Sequence, residues 1–178
     1  MEENELKKIL QKHKEWLANE DEGERADLSF ANLRSANLSH ANLSHANLRS
    51  ANLSNANLSC ANLTKCLANE ATSGFWLCCP EEGSFTAYKK CMNNVIVKLK
   101  IPKSALRSSA TTRKCRASQV KVVEVFGSDH GISSHDEKTF YEAGKVVKCD
   151  NWCEDRWQEC AGGIHFFMSR QEAENYGR

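Results

Sequence analysis

From Ala26 to Lys65 the sequence repeats one five-residue phrase, Ala-Asn-Leu-x-x, eight times without insertion, with Asp27 replacing Asn in the first copy. The copies begin at Ala26, Ala31, Ala36, Ala41, Ala46, Ala51, Ala56 and Ala61, and their third residues are Leu28, Leu33, Leu38, Leu43, Leu48, Leu53, Leu58 and Leu63. A period of five belongs to neither regular element. At 3.6 residues per turn every fifth residue wanders around a helix, and at period two successive leucines fall on opposite faces of a strand. The chain must therefore turn between copies, in the same way each time.

A short fixed period with one small and one large apolar residue per copy marks units that bury their apolar faces only by stacking. The phrase closely resembles the pentapeptide-repeat family. That resemblance implies a right-handed quadrilateral β-helix in which four copies make one square coil. The leucine and the alanine two before it would point inward, and the other three positions outward. Eight copies would give two coils about 4.8 Å apart. Phe30 would then lie over Ser50, Ser35 over Asn55, His40 over Cys60 and His45 over Lys65. Asn at the second position suits a turn residue whose side chain bonds nearby backbone.

Residues 2–18 carry apolar or aromatic groups at Leu6, Ile9, Leu10, His13, Trp16 and Leu17, the spacing of an amphipathic helix. Glu2, Glu3 and Glu5 sit at its positive end. The end of a stacked-repeat block exposes apolar surface and unpaired backbone, so a terminal cap is the expected use of this helix. Docking on a partner is the alternative use. Acidic residues 20–24 form the joint into the first copy.

After Lys65 the period stops, and aromatic, cysteine and β-branched residues appear. Runs of such residues between Gly, Pro, Asn and Asp predict strands over 74–79, 85–91, 95–101, 120–126, 145–149 and 164–168. Ser169-Arg-Gln-Glu172 reads as a capping box that starts a helix. The expected fold is therefore mainly β. A capping helix and joint (1–25) precede a two-coil β-helix (26–65), which is followed by a small strand-rich α+β domain (66–178). Phe85-Thr-Ala-Tyr-Lys89, Leu99-Lys-Ile-Pro102, Lys114-Cys-Arg-Ala117 and Gly163-Ile-His-Phe-Phe167 are similar to an uncharacterised domain that follows pentapeptide repeats in bacterial and phage-type proteins. The resemblance implies an architecture and a viral or mobile-element setting, and no activity.

Nine cysteines would suggest a disulfide framework in a secreted chain, but the sequence opens Met-Glu-Glu-Asn-Glu and has no apolar run of signal or membrane length. Reduced thiols, a cytoplasmic location and no membrane association are the expectations. Cys149, Cys153, Cys160 and His165 are of the types that hold structural zinc. Their C-x3-C-x6-C-x4-H spacing lacks the close pairs of a finger or ribbon, so buried core thiols are expected instead. Cys160 and His165, separated by Gly162-Gly163, could form a thiolate and base. No hydrolase signature surrounds them, and this remains the alternative, enzymatic reading. No phosphate-binding glycine motif occurs, and no cofactor is expected.

Charge is distributed unevenly. Residues 83–123 hold ten basic groups and no acidic one, whereas residues 124–178 are net −5. The Ser/Thr-rich part, 103–119, reads as an exposed loop presenting Lys103, Arg107, Arg113, Lys114 and Arg116 to an acidic protein surface or to nucleic acid. The alternative is that acidic C-terminal strands pair with it across a sheet. Aromatic residues interleave thinly, which disfavours a stacking platform for single strands. Some pentapeptide-repeat proteins imitate DNA and inhibit gyrase, but this block is short and net +2, the wrong sign for mimicry. The expectation is a non-catalytic macromolecule-binding protein with a scaffold of repeats and a C-terminal binding module, acting as a phage-type modulator of a host protein.

Overall fold

The computed structural model describes residues 1–177 and is mainly β, with one N-terminal helix and small sheets. It divides into two compact units. The first comprises Met1–Trp76 with Ala110–Thr112 and Asp155–Glu159, and the second comprises Leu77–Ser109, Arg113–Glu154 and the chain from Cys160 onward.

In the first unit the five-residue period becomes a backbone period. The last residue of each copy, from Phe30 to Lys65, has φ between 56° and 64°. In each copy the second residue's side chain accepts from the backbone N–H two residues on, as Asn32 Oδ1 does from Arg34 and Asn37 Oδ1 from Ser39. Asp27 makes the same bond to Ser29, so the exception in sequence is no exception in structure. Copies four apart are joined by parallel bridges, Asp27 to Asn47, Asn32 to Asn52, Asn37 to Asn57 and Asn42 to Asn62. Leu28 N–H donates to Asn47 O at 2.8 Å, and Leu43 N–H to Asn62 O at 2.8 Å. Phe30 N–H donates to Arg49 O and His40 N–H to Ser59 O, each at 2.9 Å.

The seven leucines from Leu28 to Leu58 are at most 1% exposed and form one core, with Leu63 partly buried beside them. This ladder outlasts the sequence repeat, for Asn47 pairs with Leu67 and Asn52 with Ser73. Thr111, far away in sequence, receives Asn55 N–H on its carbonyl and donates its hydroxyl to Ala56 O.

Helix α1 (Glu3–Leu17) puts Leu6, Ile9 and Leu10 on the same leucine core. His13, fully buried, sits between Ser44 O, 3.0 Å from Nε2, and Ala26 N–H, 3.1 Å from Nδ1. A neutral ring protonated at Nε2 satisfies both. The helix also covers Ser44, which is buried although its place in the repeat calls for an outward side chain.

The second unit contains β1 (Phe85–Lys90), β2 (Ile96–Ile101), β3 (Arg107–Ser109), β4 (Cys115–Ala117), β5 (Gln119–Phe126), β6 (His130–Ile132), β7 (Phe140–Glu142), β8 (Val146–Lys148), β9 (Ile164–Phe166) and α2 (Arg170–Asn175). Antiparallel strands form one sheet in the order β1-β2-β5-β8, a second in the order β3-β4-β9, and the hairpin β6-β7. Val97, Leu99 and Ile101 alternate inward from β2 against Ala87, Val120, Val122, Cys115 and Phe166. Ser169 and Glu172 make the reciprocal capping box.

Two expectations fail. Residues 74–79 are turns and bends, because Gly74 at φ +76° lies against the Leu53 backbone and breaks extended pairing. Residues 103–119 are no loop: β3 and β4 lie there, with Ser108 and Ser109 buried. Serine that bonds within a sheet carries no apolar alternation, so pattern reading passes over it.

Candidate functional site

Most of the cations expected on one exposed loop are engaged by their own unit. Arg107 donates to the carbonyls of Gly83 at 2.9 Å and Pro102 at 2.9 Å, and lies over the Phe85 ring. Arg113 pairs with Glu172 at 2.8 Å, a bond that raises the pKa of the guanidinium. Burial pushes the Glu172 carboxyl up, but that pair and the Ser169 donors outweigh it and hold it below the usual range. Arg116 is 2% exposed, donating to Cys153 O at 2.6 Å and Gly162 O at 2.9 Å under the Trp152 ring. Lys103 is exposed, and its carbonyl accepts from Arg107 at 3.2 Å. Long cationic side chains bury their stems and satisfy carbonyls, which a net-charge reading cannot distinguish from a free patch.

Lys114 goes elsewhere, to a cleft within the second unit. Its Nζ lies 3.3 Å from Cys160 Sγ and 5.6 Å from the centre of the Tyr176 ring. Two cavities, of about 350 Å³ and about 150 Å³, share Lys89, His135, Cys160 and His165 in their walls. The larger adds Asp136, Tyr141 and Lys148 among others, and the smaller adds Lys90, Lys114 and Ser134.

Four local structures build this place. β1 delivers Lys89 on its inward face, two residues from Ala87. The β6–β7 hairpin delivers His135, and its turn is held by Asp136, which accepts from the backbone of Lys138 and Thr139 and from the Thr139 hydroxyl. Burial pushes the Asp136 carboxyl up, but those donors prevail and keep it ionised far below the ordinary range. β9 delivers His165, directly across from Arg116 of β4, and the 149–163 segment leads back to it. That segment is clamped by Arg116 and passes so near itself that a Cβ on Gly162 would stand 1.6 Å from Asn151 O.

Lys89 is the unusual member. It is 7% exposed, and the Tyr141 ring faces its ammonium at 5.5 Å. Burial lowers its pKa, the neighbouring Cys91 and Asp136 raise it, and the nearby Lys114 lowers it further. The sequence reading missed Lys89, Lys90, His135 and Tyr141. A signal for Lys89 existed: it continues the alternation of Phe85 and Ala87, so a strand over 85–91 places a lysine on the apolar face.

Cys160 and His165, the candidate thiol and base, both line the two cavities. Cys149 lines the larger cavity, whereas Cys153 lines neither and contributes its carbonyl to Arg116. Among the described residues, Cys149, Cys153, Cys160 and His165 included, no group of three or more His, Cys, Asp or Glu side chains is arranged to hold a metal ion. Among them also, no helix is long and apolar enough to cross a membrane.

Comparison with known families returns two matches. Residues 75–173 match a family of unknown function, DUF5758, and residues 26–64 match pentapeptide repeats in eight copies. No curated protein and no solved structure matches the chain.

Proposed function

The chain belongs to the DUF5758 family, preceded by pentapeptide repeats, and because that family has no described function we propose one from the residues themselves. The protein is a non-catalytic macromolecule-binding protein, its C-terminal domain gripping an anionic segment of a partner protein. The repeat block is the scaffold, a right-handed quadrilateral β-helix of two coils with α1 as its cap. The observation that carries this reading is the convergence of Lys89, Lys90 and Lys114 on one cavity whose walls hold no carboxylate among the described residues. Arg107, Arg113 and Arg116 are engaged by carbonyls and by Glu172. A concave site of this kind admits a side chain or chain end more readily than the backbone of a duplex, which calls for a broad exposed stripe. A binder of this sort modulates a host protein by occupying its surface, in keeping with a phage-type setting.

Fluorescence anisotropy tests the partner class. A labelled Glu/Asp-rich peptide should bind the intact protein, and Lys114→Glu should weaken it by at least about tenfold while duplex DNA of equal charge is not retained. Duplex binding as tight as the peptide, or an unaffected Lys114→Glu, would overturn the reading.

Cys160 and His165 in shared walls favour one second reading, a thiol-dependent enzyme. Hydrolysis of a chromogenic thioester that is lost in Cys160→Ser and in His165→Gln would move the assignment to that class.

A further inference from the structure

Recognition of an anion asks only for positive charge, and an exposed lysine supplies that more cheaply than a buried one. Lys89 is held differently. β1 sets it on the same face as Ala87 and opposite Val97, both fully buried, so a lysine occupies an apolar position of the sheet. More than nine-tenths of its surface is buried, and it lines both cavities of the second unit. Loss of hydration disfavours the ammonium and favours the neutral amine, the form that acts as a nucleophile. Burial lowers the Lys89 pKa and the nearby Lys114 lowers it further, while Cys91 and Asp136 oppose the change without cancelling it. The larger cavity, about 350 Å³, is of the size that takes a small molecule. Its wall carries Ser133, Asp150 and Asn151, which suit a polar guest. His135 and His165 also line it, their ring centres 6.2 Å apart, and imidazole is the side chain best able to carry protons near neutral pH. A desolvated lysine at the wall of such a cavity is placed for addition to a carbonyl group.

We propose that Lys89 is the amine of a covalent small-molecule site, forming an imine with a small polar aldehyde or ketone in the larger cavity. The neutral Nζ attacks the carbonyl carbon, a C–N bond forms, and the C=O electron pair moves to oxygen. The two amine protons pass to that oxygen, which leaves as water while the nitrogen lone pair completes the C=N bond. Nothing is oxidised or reduced. This site goes beyond the partner-binding reading and does not depend on it.

Reductive trapping tests it on the intact wild-type protein. The chain is incubated with glyceraldehyde or with pyruvate in the presence of cyanoborohydride, whose hydride converts an imine to a stable secondary amine, and adducts are located by peptide-resolved mass spectrometry. At pH 7 an ordinary exposed lysine is neutral in fewer than about one molecule in a thousand. Lys89 should therefore be labelled at least about tenfold faster than the exposed Lys100, Lys103 and Lys121. Raising the pH to 10 frees exposed amines, so the ratio of Lys89 to these three should fall at least about tenfold. In denaturant, where the burial is gone, Lys89 should be labelled as they are. Faster trapping with glyceraldehyde assigns a neutral hydroxycarbonyl compound, and faster trapping with pyruvate assigns a 2-oxo acid; either supports the imine. Labelling of Lys89 no faster than the three exposed lysines at pH 7 with both probes would overturn the proposal and leave the anionic-segment reading standing. A Lys89 preference that persists unchanged in denaturant would overturn it too, since local sequence and not the cavity would then be its cause.

Discussion

The repeat block and the C-terminal unit solve the same problem by opposite means. In the block, a few residue types recur so regularly that each does one job: leucine fills the interior, Asn or Asp closes the turn, and the fifth residue accepts a positive φ. In the C-terminal unit no residue type has a fixed job. One arginine closes a turn of carbonyls, the next pairs with Glu172, and a third is buried beneath Trp152. Periodic sequence can be read by type, whereas aperiodic sequence has to be read by contact.

The largest expected effect comes from breaking the periodic side. Leu48→Asp puts a carboxylate among leucines that are wholly buried, and should cost several kcal/mol, abolishing the cooperative melt of the first unit by circular dichroism. A Leu48→Asp variant that melts like wild type would end the account of an inward leucine stack.

Next comes the aperiodic side, where Arg116→Met should cost about 2–3 kcal/mol in denaturant unfolding, because it leaves the Cys153 and Gly162 carbonyls without their donor. Anionic-peptide binding should fall with it, since Arg116 clamps the segment that forms the cleft wall. An apolar replacement that is neutral in both assays would show that the clamp is incidental.

The junction between helix and repeats should be sensitive to pH. Burial, with help from the charges of His45 and Arg25, lowers the His13 pKa against the opposing Ser44 bond, so the fold favours the neutral ring. The unfolded chain then takes up the proton first, near pH 6.5. This contribution is fully present above that pH and is lost as pH falls through it, with a slope of at most about 1.4 kcal/mol per pH unit. Chemical denaturation from pH 7.5 to 5 should show this loss in wild type and not in His13→Gln. Parallel curves would refute a neutral His13.

Smaller effects mark the ends of the comparison. Ser169→Ala should cost about 1 kcal/mol by removing the cap of α2, and Arg34→Gln on the outside of the repeats should stay within about 0.5 kcal/mol.

The legibility of the two regions follows from the same contrast. Leu28 to Leu58, the Asn turns and the offset of twenty were readable because each fact was stated eight times over. Ser44 was misread as outward because the period knows nothing of α1 lying over it. The continuation of the ladder to Leu67 and Ser73 was invisible because those residues match the backbone course and not the phrase. Further on, β2 and the Ser169 cap were legible from alternation and from capping chemistry. The strands of Arg107–Ser109 and Cys115–Ala117 were hidden by Ser, Arg and Cys, whose burial depends on partners distant in sequence. Cys160 and His165 line the same two cavities, while Lys89 was passed over because a lysine was counted as charge and not placed on a face.

The central claim is that binding resides in the cleft and not on the exposed basic surface, and one paired measurement tests it most directly. Two multiple variants are titrated with the labelled acidic peptide, one changing the cleft residues Lys90 and Lys114 to Gln, the other changing the exposed Lys100, Lys103 and Lys121 to Ser. The account predicts at least about a tenfold loss of affinity for the first and less than about threefold for the second. Loss confined to the Lys100, Lys103 and Lys121 variant, with the cleft variant binding as wild type does, would contradict it.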